Sequence, residues 1–421
     1  MSDLPKSNLV FRRENCRLCA STDLSLVLTL TPTPPANAFI DQSNLEQDQP
    51  CFPLDVYLCN CCAHVQLLDV VNPDELFRHY VYVSGTSPSF VAHFDSYADK
   101  ACRAFGLGAK DLAIDIGSND GTLLQAFKNR GLRVLGIDPA EEISRQAAAN
   151  NIPTRCEFFT HFGAKQIVAD TGKAAVVCAN NVFAHADDLT GIVAGVRELL
   201  KPEGVFIFEV SYLLDVLKET LFDTIYHEHL SYHSVIPLKK FFHDNGMELI
   251  DTERMPTHGG SLRATVQLAG GPRQVAPSVK GSSAEESAAG LDKLLTFVNF
   301  ADDIARIRLE LTTILTQEKR AGRRVVGFGA PAKATTLLYH FGIDKDIIDF
   351  IVDDSPHKQN LYSPGMHIPV VSSARMYAEK PETVVILAWN FADSIIENHK
   401  DYLSAGRRFI VPLPNIRVVE A

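Results

Sequence analysis

The chain has 421 residues, 46% of them apolar, and a formal net charge of −11. That length exceeds what a single core usually supports, so two or three domains are expected, while the negative charge repels a phosphate backbone and argues against a nucleic-acid partner. No window approaches the ~20 apolar residues of a membrane span, and the opening Met1-Ser2-Asp3-Leu4-Pro5-Lys6 lacks the basic-then-apolar order of a secretion signal, which together point to a cytoplasmic protein acting on small molecules.

Six of the nine cysteines lie between Cys16 and Cys62. Cys16-Arg17-Leu18-Cys19 and Cys59-Asn60-Cys61-Cys62 supply two Cys-x-x-Cys spacings, and two such knuckles can present four thiolates tetrahedrally to zinc. Cys16, Cys19, Cys59 and Cys62 are the expected ligands, with Cys51 and Cys61 as spares. A disulfide framework competes but suits a cytoplasmic chain poorly. This first lobe, residues 1–75, is rich in proline, with short strands expected over 31–39 and 54–58. Ser87-Pro88 then starts a helix that places Phe90, Phe94, Ala98, Ala101 and Phe105 on one face.

The strand-and-turn Ile114-Asp115-Ile116-Gly117-Ser118-Asn119-Asp120-Gly121 opens a helix over 122–130, and the next apolar run, 133–137, ends on Asp138. Glycines at such a turn let backbone approach a ligand, and an acid closing the next strand can hold a ribose diol. A dinucleotide site wants a third glycine and a helix start aimed at pyrophosphate; here Asp115 and Asp120 would repel phosphate but suit a sulfonium and an amino-acid ammonium. The stretch resembles motif I of the class I S-adenosylmethionine-dependent methyltransferases, with Asp138 matching the ribose-binding acid.

Apolar runs at 175–178, 205–210, 248–250 and 262–268 alternate with helical stretches at first and imply a mostly parallel sheet closed by an antiparallel pair. The chemistry is expected where those strands end. There lie Asn180 to His185 and then Tyr226-His227-Glu228-His229-Leu230-Ser231-Tyr232, a dense set of ionisable and phenolic groups. A zinc-protease motif fails, because position 231 is serine. Imidazole suits a general base near neutral pH, and spacing of three puts Tyr226 and His229 on one face of a helical turn, with Glu228 pointing elsewhere as a supporting group. Satisfied core histidines or a polar surface loop are the plainer alternative.

Residues 270–286, rich in Gly, Ser, Pro and Ala, are expected to be a linker without regular structure. A long or once-broken amphipathic helix follows, carrying Leu291, Leu294, Leu295, Val298, Ile304, Ile307, Leu311 and Ile314. A second strand, glycine turn and helix start, Val325 to Ala334, and further runs at 348–352, 384–388 and 409–411 predict a small doubly wound sheet. Asp353-Asp354 either mimics a ribose site or makes a strand-end turn, and Trp389 and Asn390 either face an interdomain cleft or simply pack.

In order, the paired cysteine knuckles, the Asp115–Thr122 turn, Tyr226–Tyr232, His258-Gly259-Gly260-Ser261-Leu262-Arg263 and Gly327-Phe328-Gly329-Ala330-Pro331-Ala332-Lys333 resemble the nucleotide-sugar C-methyltransferases, similar to the 3-C-methyltransferases of branched deoxysugar biosynthesis. The resemblance spans almost the whole chain. It implies an α/β protein with a zinc-binding lobe (1–75), a central Rossmann-like S-adenosylmethionine domain (76–272) and a second Rossmann-like domain (273–421) that helps enclose the nucleotide sugar. It further implies Asp115, Gly117, Asn119, Asp120, Gly121, Asp138 and Asn180 at the cofactor. His229 matches the base at C3 of an NDP-4-keto-6-deoxyhexose, with Tyr226, Glu228 and His185 around it. Tyr80 matches a tyrosine closing the pocket, with Tyr82 an equally legal alignment. Gly259, Gly260, Arg263 and Lys333 are expected beside the sugar nucleotide, although a plain hairpin turn and a solvated lysine account for the same residues. A monomer without nucleic-acid or membrane partners is expected. The rival functions are a small-molecule O- or N-methyltransferase, a nicotinamide oxidoreductase using the Gly327 turn, and a non-catalytic zinc and nucleotide module.

Overall fold

The computed structural model describes residues 9–78, 83–86 and 88–420. The cysteine-bearing lobe is built on the strands Leu24–Thr33, Phe52–Cys59 and Val65–Leu67, which pair antiparallel in that order. The expected strand at 31–39 is therefore displaced toward the amino terminus. Pro32 is tolerated because Leu24–Thr33 is an edge strand, but Pro34-Pro35 lacks the donors to continue the ladder. On the other edge the sheet gains the two-residue strand Ser231–Tyr232, pairing with Gln66 and Val65. A piece of the expected catalytic segment is thus woven into the zinc lobe.

The central sheet has seven strands in the spatial order Met247–Met255, Ser261–Leu268, Leu200–Ser211, Ala174–Asn180, Leu112–Ile116, Arg133–Ile137, Thr154–Arg155. Ser261–Leu268 runs antiparallel to both its neighbours, while the other pairings are parallel. Leu112–Ile116 is buried at every position, as a strand covered by helices on both faces must be. The helix Pro88–Phe105 covers one face with Phe90, Phe94, Tyr97, Ala98 and Ala101, packed on Val176, Cys178, Val205 and Ile207. This is the doubly wound sheet with an antiparallel closing pair that the sequence implies.

The stretch expected to be a linker is instead largely helical, over Pro277–Ala289. Pro277 occupies the first turn, where its missing N–H costs nothing, and Gly290 ends the helix in the left-handed region at φ +67°. Its small residues give almost no amphipathic signal, and what docks it is polar. Buried Glu286 accepts hydrogen bonds from Tyr212 Oη (2.7 Å), Val235 N (2.6 Å) and Ile236 N (2.9 Å). The helix packs on the central sheet, against Met247–Met255.

The long helix runs unbroken over Leu294–Arg320 and buries Phe297, Phe300, Ile304, Ile307, Leu311 and Leu315 along one face. It touches both the strand Leu24–Thr33 of the zinc lobe and the first strand of the last domain, Val325–Phe328. That domain is a six-stranded sheet ordered Val370–Val371, Ile351–Val352, Val325–Phe328, Thr383–Ile386, Arg408–Val411, Arg417–Val419, parallel except for the last strand. Its order reverses at Val325–Phe328, so a crevice is expected between the turns after that strand and after Thr383–Ile386. Among the described residues, no helix is long and apolar enough to cross a membrane.

Candidate active site and zinc centre

The Sγ atoms of Cys16, Cys19, Cys59 and Cys62 all lie within 4.8 Å of one another. The Sγ atoms of Cys16 and Cys62 are 3.6 Å apart and those of Cys19 and Cys59 3.5 Å. Four thiolates ~2.3 Å from a tetrahedral zinc sit about 3.8 Å apart, so the donor set fits zinc. The two knuckles are built alike: Ala20 N donates to Cys16 O and Ala63 N to Cys59 O, and both alanines have positive φ. Cys61 is turned outward toward Ser21 and Cys51 is exposed, which leaves Cys62 as the fourth ligand. Arg17, a residue of the first knuckle that the sequence reading passed over, is buried. Its guanidinium donates to Gln66 Oε1 (3.1 Å), Asp187 Oδ1 (3.0 Å) and the Leu230 carbonyl (3.3 Å).

At the cofactor turn, Gly117 has φ +69° and a Cβ there would lie 2.2 Å from Val182 Cγ2, so only glycine fits. Asp138 accepts from Asn119 N (2.8 Å) and Ala140 N (2.9 Å), which ties the turn to the next strand end while each oxygen keeps acceptor capacity for a hydroxyl. Asp115 Oδ1 and both amide atoms of Asn180 are buried without a partner among the described residues, donors and acceptors that an ammonium and carboxylate would satisfy. Burial and the neighbouring Asp138 hold the Asp115 carboxyl well above its usual range, a state that a bound cation would reverse. These residues fit S-adenosylmethionine. Asn119 and Asp120 also organise the chain around the turn. Asn119 Oδ1 accepts from Ser84 N (3.0 Å) and Asp120 Oδ2 from Gly85 N (2.9 Å), so they hold the 84–85 segment over the turn, and Asp120 Oδ1 also caps the helix start at Thr122 (2.6 Å). A Cβ at Gly121 would lie 2.9 Å from Ile152 Cγ2, so glycine there makes room for that side chain.

The catalytic types converge at the carboxyl edge of the same sheet. Tyr226 and His229 lie in a tight turn closed by His229 N to Tyr226 O (2.9 Å), and their rings are 4.1 Å apart, as the spacing predicts. His229 Nδ1 donates to the Thr224 carbonyl (2.7 Å), which fixes the tautomer and leaves Nε2 as the basic nitrogen. Burial pulls the His229 imidazole down to about 4, with the Thr224 carbonyl opposing. His185 stacks on His229 at 5.1 Å and on Phe77 at 5.5 Å, and burial beside His229 keeps it neutral. Glu228 is buried and accepts from Asn37 Nδ2 at 2.8 Å. Neighbouring His227 points away from this group, its Nε2 donating to the Phe52 carbonyl. Tyr80 and Tyr82 lie outside the described residues.

Two expected phosphate contacts are corrected. Arg263 lies on the sheet face covered by Pro88–Phe105. Its Nε donates to Glu209 Oε1 (2.6 Å) and its guanidinium stacks 4.2 Å over Tyr97, so it is already spent on a buried carboxylate. Lys333 is half-buried and held within the chain. Its ammonium sits 3.4 Å over Trp389 and donates to Asn390 Oδ1 (2.7 Å), and the Trp389 indole N–H donates to buried Asp223 (2.6 Å). Trp389 and Asn390 do line a cleft between the last two domains, of about 870 Å³, together with Asp215, Arg254, Gly259 and Gly260. The approach that Gly259 permits is that of the Trp389 ring. Asp353 makes a strand-end turn that repeats the Asp138 geometry, accepting from Ala330 N (2.7 Å) and Ser355 N (2.8 Å).

Residues 256–414 match the family described as "C-methyltransferase C-terminal domain", residues 93–252 "Methyltransferase domain" and residues 16–77 "Putative zinc binding domain". The chain is 35% identical over 408 residues to C-methyltransferase NovU of Streptomyces niveus, covering 97% of each. A ubiquinone biosynthesis O-methyltransferase of Leptothrix cholodnii is 30% identical over 34% of this chain and 66% of its own. Among solved structures, the PH0226 protein of Pyrococcus horikoshii is similar at a TM-score of 0.36 with 14% identity, covering 44% of this chain and 94% of its own. Magnesium protoporphyrin IX methyltransferase of Synechocystis with bound SAM is similar at 0.32 with 16% identity, covering 42% and 78%.

Proposed function

The chain belongs to the family of S-adenosylmethionine-dependent C-methyltransferases, and from that premise we propose that it methylates C3 of an NDP-4-keto-6-deoxyhexose, with His229 as the base, for branched deoxysugar biosynthesis in the cytoplasm. The observation that carries this reading is the imidazole itself: neutral, fixed in one tautomer by the Thr224 carbonyl, and stacked between Tyr226 and His185 at the edge of the cofactor sheet. An O- or N-methyltransferase needs no base of this construction for a carbon acid.

The hydrogen on C3 is acidic because the adjacent C4 carbonyl accepts the electron pair as an enolate. His229 Nε2 takes that proton, and the C3 carbon gains nucleophilic character as the charge moves to the C4 oxygen. Hydrogen-bond donors facing that oxygen typically contribute on the order of 3 kcal/mol each. Tyr226 and His185 carry polar atoms of the right kind next to His229, and Glu228 stabilises the imidazolium once formed. When bound, S-adenosylmethionine supplies the electrophilic methyl that the enolate carbon accepts. The acceptor's nucleotide is assigned to the cleft beside Trp389 and Asn390, at the carboxyl edge of the second doubly wound sheet.

The test supplies methyl-labelled cofactor with TDP- and GDP-linked 4-keto sugars in deuterated solvent. Deuterium at C3 without cofactor, and label on a ring carbon with it, are expected. His229→Asn keeps a donor for Thr224 but removes the basic nitrogen; it should abolish exchange and transfer while cofactor affinity stays within threefold. Label on oxygen or nitrogen, or near-normal transfer by that variant, sinks the reading.

A further inference from the structure

Trp389, the single tryptophan of the chain, is wedged between the last domain and the central one. The edge of its six-membered ring abuts Gly259, where a Cβ would lie 2.8 Å from Cη2, so the turn at His258-Gly259-Gly260 is shaped to admit an indole. The Lys333 ammonium covers one face, 3.4 Å from the ring centroid. The indole N–H donates to Asp223 Oδ2 at 2.6 Å, and Asp223 is 0% exposed. Burial pushes the Asp223 carboxyl above its usual range, while the Lys333 charge and the indole N–H oppose that push.

Asp223 is the middle residue of the buried turn Phe222–Thr224. The carbonyl of the next residue, Thr224, accepts the Nδ1–H of His229 at 2.7 Å. The last domain touches this turn on either side of Asp223 as well: the Phe222 ring stacks on Phe341 at 4.9 Å, and the Ile225 carbonyl accepts from Thr336 Oγ1 (2.8 Å). A ring stack sets how near the turn lies more than which way it faces, whereas a hydrogen bond is directional. Resting on the reading of His229 as the base, we propose that Trp389 is a positioning residue for it: the indole N–H holds Asp223, and with it the turn whose Thr224 carbonyl orients the imidazole. The last domain thereby aims the base as well as lining the cleft. A rigid ring blocked on its edge by Gly259 and on its face by Lys333 suits that task, because its N–H has little room to swing.

Because the chain has one tryptophan, growth of an auxotroph on benzothienylalanine exchanges the indole N–H for sulfur at position 389 alone and keeps the shape of the ring. Trp389→Phe is the coarser variant, and Asp223→Ala its partner in a double-mutant cycle. The readouts are kcat and KM for methyl transfer and nitrogen NMR of the His229 ring, assigned with His229→Asn. Misplacement of a reacting group by about 1 Å costs on the order of 10²-fold, so kcat is expected to fall about 10-fold in the benzothienyl protein and about 10- to 100-fold in Trp389→Phe, with KM for the methyl donor within twofold in both. His229, a single Nδ1–H tautomer in the native protein, should become a mixture of tautomers in each. In the Asp223→Ala background, Trp389→Phe should change kcat less than twofold, because the indole acts through that carboxylate. An unchanged His229 tautomer in the benzothienyl protein, or equal losses of kcat in both backgrounds, overturns the proposal. Mixed tautomers at native kcat overturn instead the assignment of His229 as the base, on which the proposal rests.

Discussion

The pH dependence of turnover is the sharpest consequence of how His229 is housed. An ordinary imidazole titrates near 6.5, whereas burial brings His229 to about 4. The acid limb of kcat/KM reports the base of the free enzyme, so lowering the pH from 7.5 to 5.0 separates the two cases cleanly. With a base at 4, about nine-tenths of the molecules still carry a neutral ring at pH 5, and kcat/KM falls by about a tenth. With a base at 6.5 only about 3% are neutral, and the loss is roughly 30-fold. The assay is initial-rate methyl transfer at fixed ionic strength, with folding checked at each pH by near-UV circular dichroism. An acid limb centred near 6.5 in a protein that remains folded would refute the claim that burial dominates this site. Replacing Thr224 does not test it, because the interacting group is a backbone carbonyl.

Chelation of zinc, or Cys59→Ser, should abolish methyl transfer as well as loosen the lobe, because Arg17 of the first knuckle donates to the Leu230 carbonyl next to His229; hydrogen exchange over 9–78 and activity are expected to fail together, and a metal-free enzyme at full rate would contradict this. Gly117→Ala must resolve a 2.2 Å contact with Val182 at positive φ, so cofactor affinity measured by calorimetry should drop at least 100-fold while the fold persists; a change under threefold would remove the turn from the cofactor site. His227 and His233 are at most 1% exposed and burial brings each to about 4. The unfolded chain therefore binds more protons than the folded one between about 4 and 6.5, stability falls as pH drops through that window, and each ring contributes up to about 2 kcal/mol of the loss from pH 7 to 5. Urea melts of His233→Gln should show a shallower pH slope than the wild type, and an unchanged slope would exclude the linkage.

What could be read in the chain was whatever local spacing fixes. The strand-turn-helix at Gly117, the acid at Asp138 and the two cysteine knuckles each lie within a few residues, where backbone geometry leaves few options. Tyr226 and His229 were placed on one face by a spacing of three, and a tight turn delivers that as well as a helix does. The helix Pro277–Ala289 escaped because its contacts are hydrogen bonds to Glu286 from distant chain, not an apolar stripe. The intramolecular partners of Arg263 and Lys333 were hidden for a related reason: a cation at a strand end or helix start looks alike whether its partner is a phosphate or a buried carboxylate. Glu209 and Asp223, which neutralise them, lie 54 and 110 positions away. Arg17 and Asn37 carry no local signal at all, since their partners in the catalytic segment are 213 and 191 positions distant.

Those long-range contacts converge on one short stretch, 224–231, and explain why so much chain surrounds a cofactor fold that needs far less. The Thr224 carbonyl holds His229 within the segment itself. The Ile225 carbonyl accepts from Thr336 Oγ1 of the last domain (2.8 Å), Glu228 from Asn37 and the Leu230 carbonyl from Arg17, both of the zinc lobe, while Leu230 N and Ser231 N both donate to Ala184 O of the central domain. The anchors come from three bodies, the zinc lobe, the central domain and the last domain, so a rigid shift of any one moves a different part of the same loop. A histidine carried on a loop is ordinarily a mobile group, and removing a proton from carbon rewards a base held to a fraction of an ångström. Tying eight residues to three domains supplies that rigidity without lengthening the loop or burying the imidazole beyond reach of a ligand.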